Sequence, residues 1–244
     1  MSGTGGLQAL GQALAGSSVG WLALTFSAYL AALAVYRRGG AHPLLLPVLT
    51  GTAGVVAVLA ATGTDYARYA EGVRPLTLLI GPATVALAVP LVRQWGRLRA
   101  IWLPLGLALL VGGTVAIVSA VGIAWALGGS WETLASLAPK SATMPMAMPV
   151  AERMGGLAAL AAVAVAITGI AGAIAAGPVM RLLRVHDPVV RGFASGLTAH
   201  AIGMARELPI NPTAGAFAAL GMGLNGLLTT VLVPLILALG PLRG

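Results

Sequence analysis

The sequence predicts an all-α polytopic membrane protein with about six full spans and two proline-broken segments, re-entrant or discontinuous, arranged as an inverted repeat. Composition is the first reason. Of 244 residues, 58% are hydrophobic and 8% charged, against roughly 25% charged in a soluble domain. So little polar surface cannot shield a core from water, and lipid must cover the rest. Spacing is the second reason, because apolar runs near the length of a span alternate with short charged or Gly/Pro breaks. The third is a duplicated phrase. Ala83-Thr84-Val85-Ala86-Leu87-Ala88-Val89-Pro90-Leu91 recurs 59 residues later as Ala142-Thr143-Met144-Pro145-Met146-Ala147-Met148-Pro149-Val150, with Ala, Thr, Ala and Pro in register.

Residues 1–18 read as an N-terminal tail and 19–240 as a single membrane domain. The first fifteen residues carry no positive charge, so no cleavable signal peptide is expected. Apolar runs fall near 19–36, 43–61, 75–92, 100–127, 131–150, 156–180, 192–206 and 213–239. The runs at 19–36, 43–61, 100–127, 156–180 and 213–239 reach the length of a straight spanning helix. Three others are compromised. Run 75–92 holds Pro75, Gly81-Pro82 and Pro90; run 131–150 holds Pro139, Pro145 and Pro149; run 192–206 is short and polar. With the same offset Gly113 falls on Gly172 and Ala116 on Ala175. The repeating unit is therefore a broken segment plus the long helix after it, over about 75–127 and 131–182, with 192–240 following.

Arginine placement selects the topology. If all eight runs cross, the basic residues divide almost evenly between the two faces. If the two proline-rich copies return to the side they came from, one face collects Arg68, Arg74, Arg93, Arg97, Arg99, Arg181, Arg184, Arg191 and Arg243. The other keeps Arg37, Arg38, Arg153 and Arg206. Only the second layout satisfies the positive-inside rule. It gives six crossings, with run 192–206 as one of them, two opposed re-entrant segments and both termini cytoplasmic. That is a common plan of secondary transporters. The net charge of +8 resides in these loop clusters, with no basic stripe interleaved with aromatics, so nucleic acid is not an expected partner.

Irregular backbone at membrane depth survives only inside protein or beside water. Pro82, Pro139 and Pro145 each remove an amide donor and free carbonyls. Helix N-termini at such breaks attract anions, and Thr84 and Thr143 sit just beyond them. Either threonine can instead bond back to its own helix. Lys140, the single lysine, adjoins Ser141. It reads as a counter-ion for a carboxylate, or as a side chain that snorkels to the interface or pairs with Glu132 or Glu152. His200 shares a helical face with Gly196, Gly203 and Met204, and reads as a proton relay or carboxylate ligand, or as a packing histidine bonded to a carbonyl. Arg206 and Glu207 read as a local pair at the helix end, or Arg206 as a residue that faces the substrate. Asn225 lies mid-helix and either holds helices together or lines a path. No metal-ligand set, phosphate loop or nucleophile–base set is present, so neither cofactor nor enzyme activity is expected.

The phrases LLIGPATVALAVPLVRQ (78–94), SLAPKSATMPMAMPVAERMGG (136–156), TGIAGA (168–173), GLTAHAIGMAR (196–206) and GAFAALGMGLNGLLTTVLVP (215–234) resemble the LrgB/CidB family. The resemblance covers about residues 20–238. It implies a multi-pass bacterial inner-membrane protein partnered with a small holin-like LrgA/CidA protein, in a family named for control of murein hydrolase activity and lysis. A plastidial relative moves glycolate and glycerate, and bacterial relatives are linked to pyruvate uptake. By family motif the substrate-binding positions are Pro82, Thr84, Lys140, Ser141, Thr143, Pro145, His200, Gly203 and Asn225. Met144, Met146 and Met204 depart from the family pattern, which leaves the substrate open. Two functions follow: alternating-access transport of small monocarboxylates, or non-transporting regulation of lysis with the holin-like partner. A homo-oligomer is compatible with both.

Overall fold

The structure is a computed structural model that describes residues 17–40, 42, 45–86, 92 and 95–239. Among them every regular element is helical. The chain divides into two compact units, Met1–Ala86 and Leu87–Gly244. Among the described residues four helices are long and apolar enough to cross a bilayer: Ser18–Arg38, Trp102–Ala126, Ala158–Leu182 and Pro212–Ala238.

The first unit holds α1 (Ser18–Arg38), α2 (Pro47–Thr62), α3 (Tyr66–Gly72) and α4 (Arg74–Ala86). The Ser17 hydroxyl accepts from the Gly20 amide and opens α1. Pro47 opens α2, where its missing amide costs nothing. Trp21 is buried against Val55 and Leu59 and meets Tyr69 edge to face at 5.8 Å, while the Tyr69 hydroxyl pairs with Thr25 at 3.0 Å. Helix α4 continues through Gly81-Pro82, where the sequence predicts a break. Residues 87–91 of that segment, and the side chain of Thr84, lie outside the described residues.

The second unit holds α5 (Trp95–Ala100), α6 (Trp102–Ala126), α7 (Trp131–Leu137), α8 (Met144–Arg153), α9 (Ala158–Leu182), α10 (Pro188–Glu207) and α11 (Pro212–Leu239). Helix α6 is apolar on its outward as well as its buried face, unlike a soluble amphipathic helix. Leu107, Leu110, Val111, Val115 and Val118 face outward, while Ile117, Val121 and Ala124 are buried. Helices α6 and α11 run parallel. Leu105 clusters with Phe217 near their starts, Gly113 faces Asn225 and Leu228 in the middle, and Ile117 and Val121 cluster with Val233 and Leu237 towards their ends. Helix α9 runs the other way and carries the chain back.

Between these three helices lie two hairpins. The first is α7–turn–α8. Ser130 caps α7 by accepting from Thr133 N, and the helix stops at Leu137 because Pro139 cannot continue it. Thr143 then opens α8. The Trp131 indole donates to the Met154 carbonyl at 2.9 Å, so the segment begins and ends at one level. Gly155, at φ 81, makes the sharp exit turn, and the Leu157 amide donates to Ser136 Oγ at 2.8 Å.

The second hairpin corrects the sequence reading, which treats run 192–206 as a crossing. Helix α10 reverses at His200, whose backbone is at φ 41, ψ −130. Continuous helix would hold Ser195 and Glu207 about 18 Å apart at 1.5 Å per residue. Instead the Ser195 hydroxyl donates to Glu207 Oε1 at 3.4 Å. The first arm, before His200, lies alongside the start of α11, with Gly192 and Gly196 set against the backbone of Ala214 and Ala218. The second arm returns to the end of the unit where α10 began. This reversal moves Arg206 to the basic end, beside Arg97, Arg99, Arg181, Arg184 and Arg191, and leaves Arg153 at the other.

Candidate functional site

The two hairpin tips meet at the middle of α11. Asn225 is the fourteenth of the 28 residues of that helix and is 1% exposed. Its Nδ2 donates to the Ser141 carbonyl at 2.9 Å, in the first tip, and to the Leu197 carbonyl at 3.1 Å, three residues before the second. One amide nitrogen thus uses both its protons to join two breaks that approach from opposite ends. Its Oδ1 is buried without a partner and faces Gly113 of α6. A second seam lies beside it. Ala142 packs on Val165 of α9, and the Val165 carbonyl is 2.9 Å from His200 Nε2. A carbonyl only accepts, so Nε2 carries the proton in this bond.

In the first tip Pro139 is fully buried and Ser141 is 6% exposed. Lys140 is half-buried, and its Nζ donates to Ser141 Oγ at 3.3 Å. Among the described residues neither Glu132 nor Glu152 forms an ion pair with it. Thr143 is the N-cap of α8 through its extended backbone, and its side chain makes no cap bond. Its carbonyl accepts from Met146 N at 2.9 Å and Ala147 N at 2.8 Å. Pro145 sits in the first turn of α8, where an amide is already unpaired, so it starts a helix rather than breaking one.

Gly203 serves the second hairpin's own packing. A Cβ there would run into the Ser195 carbonyl and the Ala199 methyl of the opposite arm. Gly169 of α9 leaves the space that the His200 ring fills. Lys140, Ser141, Thr143, His200 and Asn225 therefore belong to one layer, between a hydrophobic cluster around Val233 and Leu237 and another around Phe193 and Phe217. Pro82, exposed on α4, and Thr84 belong to the first unit.

The profile of the LrgB-like family matches residues 25–239. The chain belongs to the LrgB-like family. It is 34% identical over 213 residues to the uncharacterized protein YxaC of Bacillus subtilis, covering 87% of this chain and 92% of that one. It is 32% identical to YwbG of the same organism, over 89% and 96% of the two chains. The antiholin-like protein LrgB of Bacillus mycoides is 28% identical over 70% of this chain and 74% of its own. No solved structure matches it significantly. Family membership and the apolar helices make it a multi-pass membrane protein.

This LrgB-like chain also carries a group that the sequence reading assigns differently. Glu207 is not paired with Arg206. It is buried at the base of the second hairpin, 3.4 Å from the Arg191 guanidinium, and also receives the Ser195 hydroxyl. Arg206 instead donates to the Ala173 carbonyl of α9. The available signal is an opposite-charge pair at the two ends of a run too short to cross, which fits a hairpin better than a span. The Glu207 side chain is 3% exposed and that of Arg191 is 32% exposed. Arg191→Leu strands the more deeply buried charge. Removing one partner of a fully buried pair costs about 3–5 kcal/mol, and partial exposure of Arg191 lowers the expectation to about 2 kcal/mol. The expected result is a drop in the unfolding midpoint in detergent, largely reversed in Arg191→Leu/Glu207→Leu. An unchanged midpoint would show that the pair does not fasten the hairpin.

Proposed function

We propose that the protein moves small monocarboxylates of the glycolate, glycerate, lactate or pyruvate type across the bacterial inner membrane by alternating access. The observation that supports this reading most is the joining of the two hairpin tips by Asn225 at the middle of a spanning-length helix. In this reading α6 with the first hairpin and α9 with the second form an inverted pair. Helices α6 and α9 both have 25 residues and run in opposite directions. Each is followed by a hairpin that starts from the end it has just reached. Helix–hairpin units of this kind are a common transporter plan, with the substrate at the meeting point. This reading draws the units at 102–153 and 158–207, where the duplicated phrase draws them at about 75–127 and 131–182. The basic end of the second unit faces the cytoplasm by the positive-inside rule.

Lys140 carries the charge chemistry. It is a cation in the tip layer whose hydrogen bond goes to a neutral hydroxyl, which leaves two ammonium protons for a carboxylate. Ser141 Oγ and the Thr143 hydroxyl can accept from the 2-hydroxyl or donate to the 2-oxo group of such an acid. Rocking of the two units of the inverted pair would then expose the site alternately. A charge-assisted hydrogen bond contributes about 1.5–3 kcal/mol, so Lys140→Gln is expected to weaken uptake by about tenfold or more. The test is uptake of labelled glycolate, lactate and pyruvate into proteoliposomes, with and without a holin-like partner. Saturable uptake lost in Lys140→Gln and partly kept in Lys140→Arg supports the proposal. Absence of flux for every acid, with the partner present, overturns it.

The second reading is regulation of murein hydrolase activity and lysis together with a holin-like LrgA-type membrane protein. The relatives that are antiholin-like LrgB proteins favour it over transport. It requires an outward docking face but no polar layer. A cell lysis phenotype that survives Lys140→Gln while vesicle uptake is absent selects it.

A further inference from the structure

A groove of about 580 Å3 runs between α6 and the first arm of α10, away from the residues assigned above. Its walls are apolar, with Ala108, Gly112, Phe193 and Leu197 among them, and its mouth holds Arg97 and Asp187. From Ile101 to Gly112 it follows eleven residues of α6, which is about 16 Å at 1.5 Å per residue. Half of a 30 Å hydrocarbon core is about 15 Å. The groove therefore begins at the basic end of the unit and stops at mid-depth, covering one leaflet.

We propose that this groove is a binding site for one acyl chain of an anionic phospholipid, with the phosphate at Arg97. Its depth matches a lipid tail, whereas a helix from another protein chain would need a face running through both leaflets. The charge at the mouth fits as well. Arg97 pairs with Asp187 at 3.2 Å, and both side chains are about half exposed. The carboxylate of Asp187 is already engaged as the cap of α10, accepting from Val189 N at 2.7 Å. Arg97 is thus held at the mouth with most of its five donors unspent. Arg99, Arg181, Arg184 and Arg191 lie at the same end, against Asp187 and Glu207. Basic pockets between spanning helices on the cytoplasmic side take anionic headgroups in this way. A lipid seated here would press on Phe193 and Leu197, and Leu197 is the residue whose carbonyl Asn225 holds. Headgroup binding would in that way bias the position of the second hairpin.

The test uses the full chain, purified in mild detergent, with dioleoylphosphatidylglycerol and dioleoylphosphatidylcholine as competing probes in native mass spectrometry. One tightly retained phosphatidylglycerol per chain is expected, preferred at least fivefold over phosphatidylcholine. Arg97→Gln should reduce the preference to below twofold. Ala108 is exposed in the groove, so Ala108→Phe should fill the space and expel that lipid while the unfolding midpoint stays within a few degrees. Equal retention of the two lipids would overturn the proposal. So would retention unaffected by Ala108→Phe, or a dimer in place of the lipid adduct.

Discussion

Asn225→Leu is expected to separate the hairpin tips. The substitution keeps bulk and removes both donors, so the Ser141 and Leu197 carbonyls lose their shared partner. Each stranded buried acceptor costs about 1–3 kcal/mol in soluble proteins. Hydrogen bonds between helices in membranes average nearer 0.6 kcal/mol, because the unfolded chain in lipid also finds partners. About 2 kcal/mol for the pair follows from combining these. It should appear as a lower unfolding midpoint in detergent and, on the proposed transport function, as loss of acid uptake in proteoliposomes. Asn225→Gln separates the two effects, because it keeps both amide donors on a longer arm. If Asn225→Gln retains more of the midpoint than Asn225→Leu, donation to the tips is the operative property. If both variants keep wild-type stability and wild-type uptake, the tips are held by something else and the joined-tip account fails.

Much of the helical content is legible in the sequence because apolar runs of span length leave little choice in lipid. The first hairpin is legible too. Pro139 stops α7, Ser130 and Thr143 mark helix starts, and Lys140 sits in the unwound residues between, so local chemistry announces the break. The second hairpin has no such local mark. Its reversal turns on the backbone of His200, a residue that carries no turn signature, and no proline stands near it. The glycines that seat the hairpin, Gly203 between its arms and Gly192 and Gly196 against α11, are the same type that marks ordinary helix–helix packing. Only the shortness of the run and the distant Arg191–Glu207 pair disclose the fold there, and both are non-local. Pro82 fails as a break signal for the opposite reason, since α4 carries on through it and one lost amide bond does not decide a helix. The polarity of Asn225 is legible as a demand for partners. That those partners are carbonyls 84 and 28 residues away is not. The duplicated phrase pairs a segment of the first unit with one of the second, whereas the inverted pair proposed above lies within the second unit alone.

Gly196→Ala is expected to have the largest effect on folding of any single methyl group added to this chain. The first arm of α10 lies so close to α11 that a Cβ at Gly196 would coincide with the Ala218 carbonyl, and one at Gly192 with that of Ala214. Both obstacles are main chain, so no rotamer change relieves them, and the helices must move apart. Small residues spaced four apart on both partners, Gly192 and Gly196 against Ala214 and Ala218, allow this contact. Separation of the helices would pull Leu197 from Asn225 and expose the cluster of Phe193 and Phe217. Overpacking typically costs about 1–3 kcal/mol, and a backbone obstacle places Gly196→Ala at or above the upper end. Gly122→Ala on α6 and Gly223→Ala on α11 supply the contrast. Nothing lies within 4 Å of a Cβ at either position, and alanine favours a helix by about 1 kcal/mol over glycine. Size-exclusion profiles and unfolding midpoints in detergent should place Gly196→Ala well below wild type and the other two at or above it. Equal midpoints for all three would mean that the arm does not lie against α11, and with it would go the meeting of the two tips.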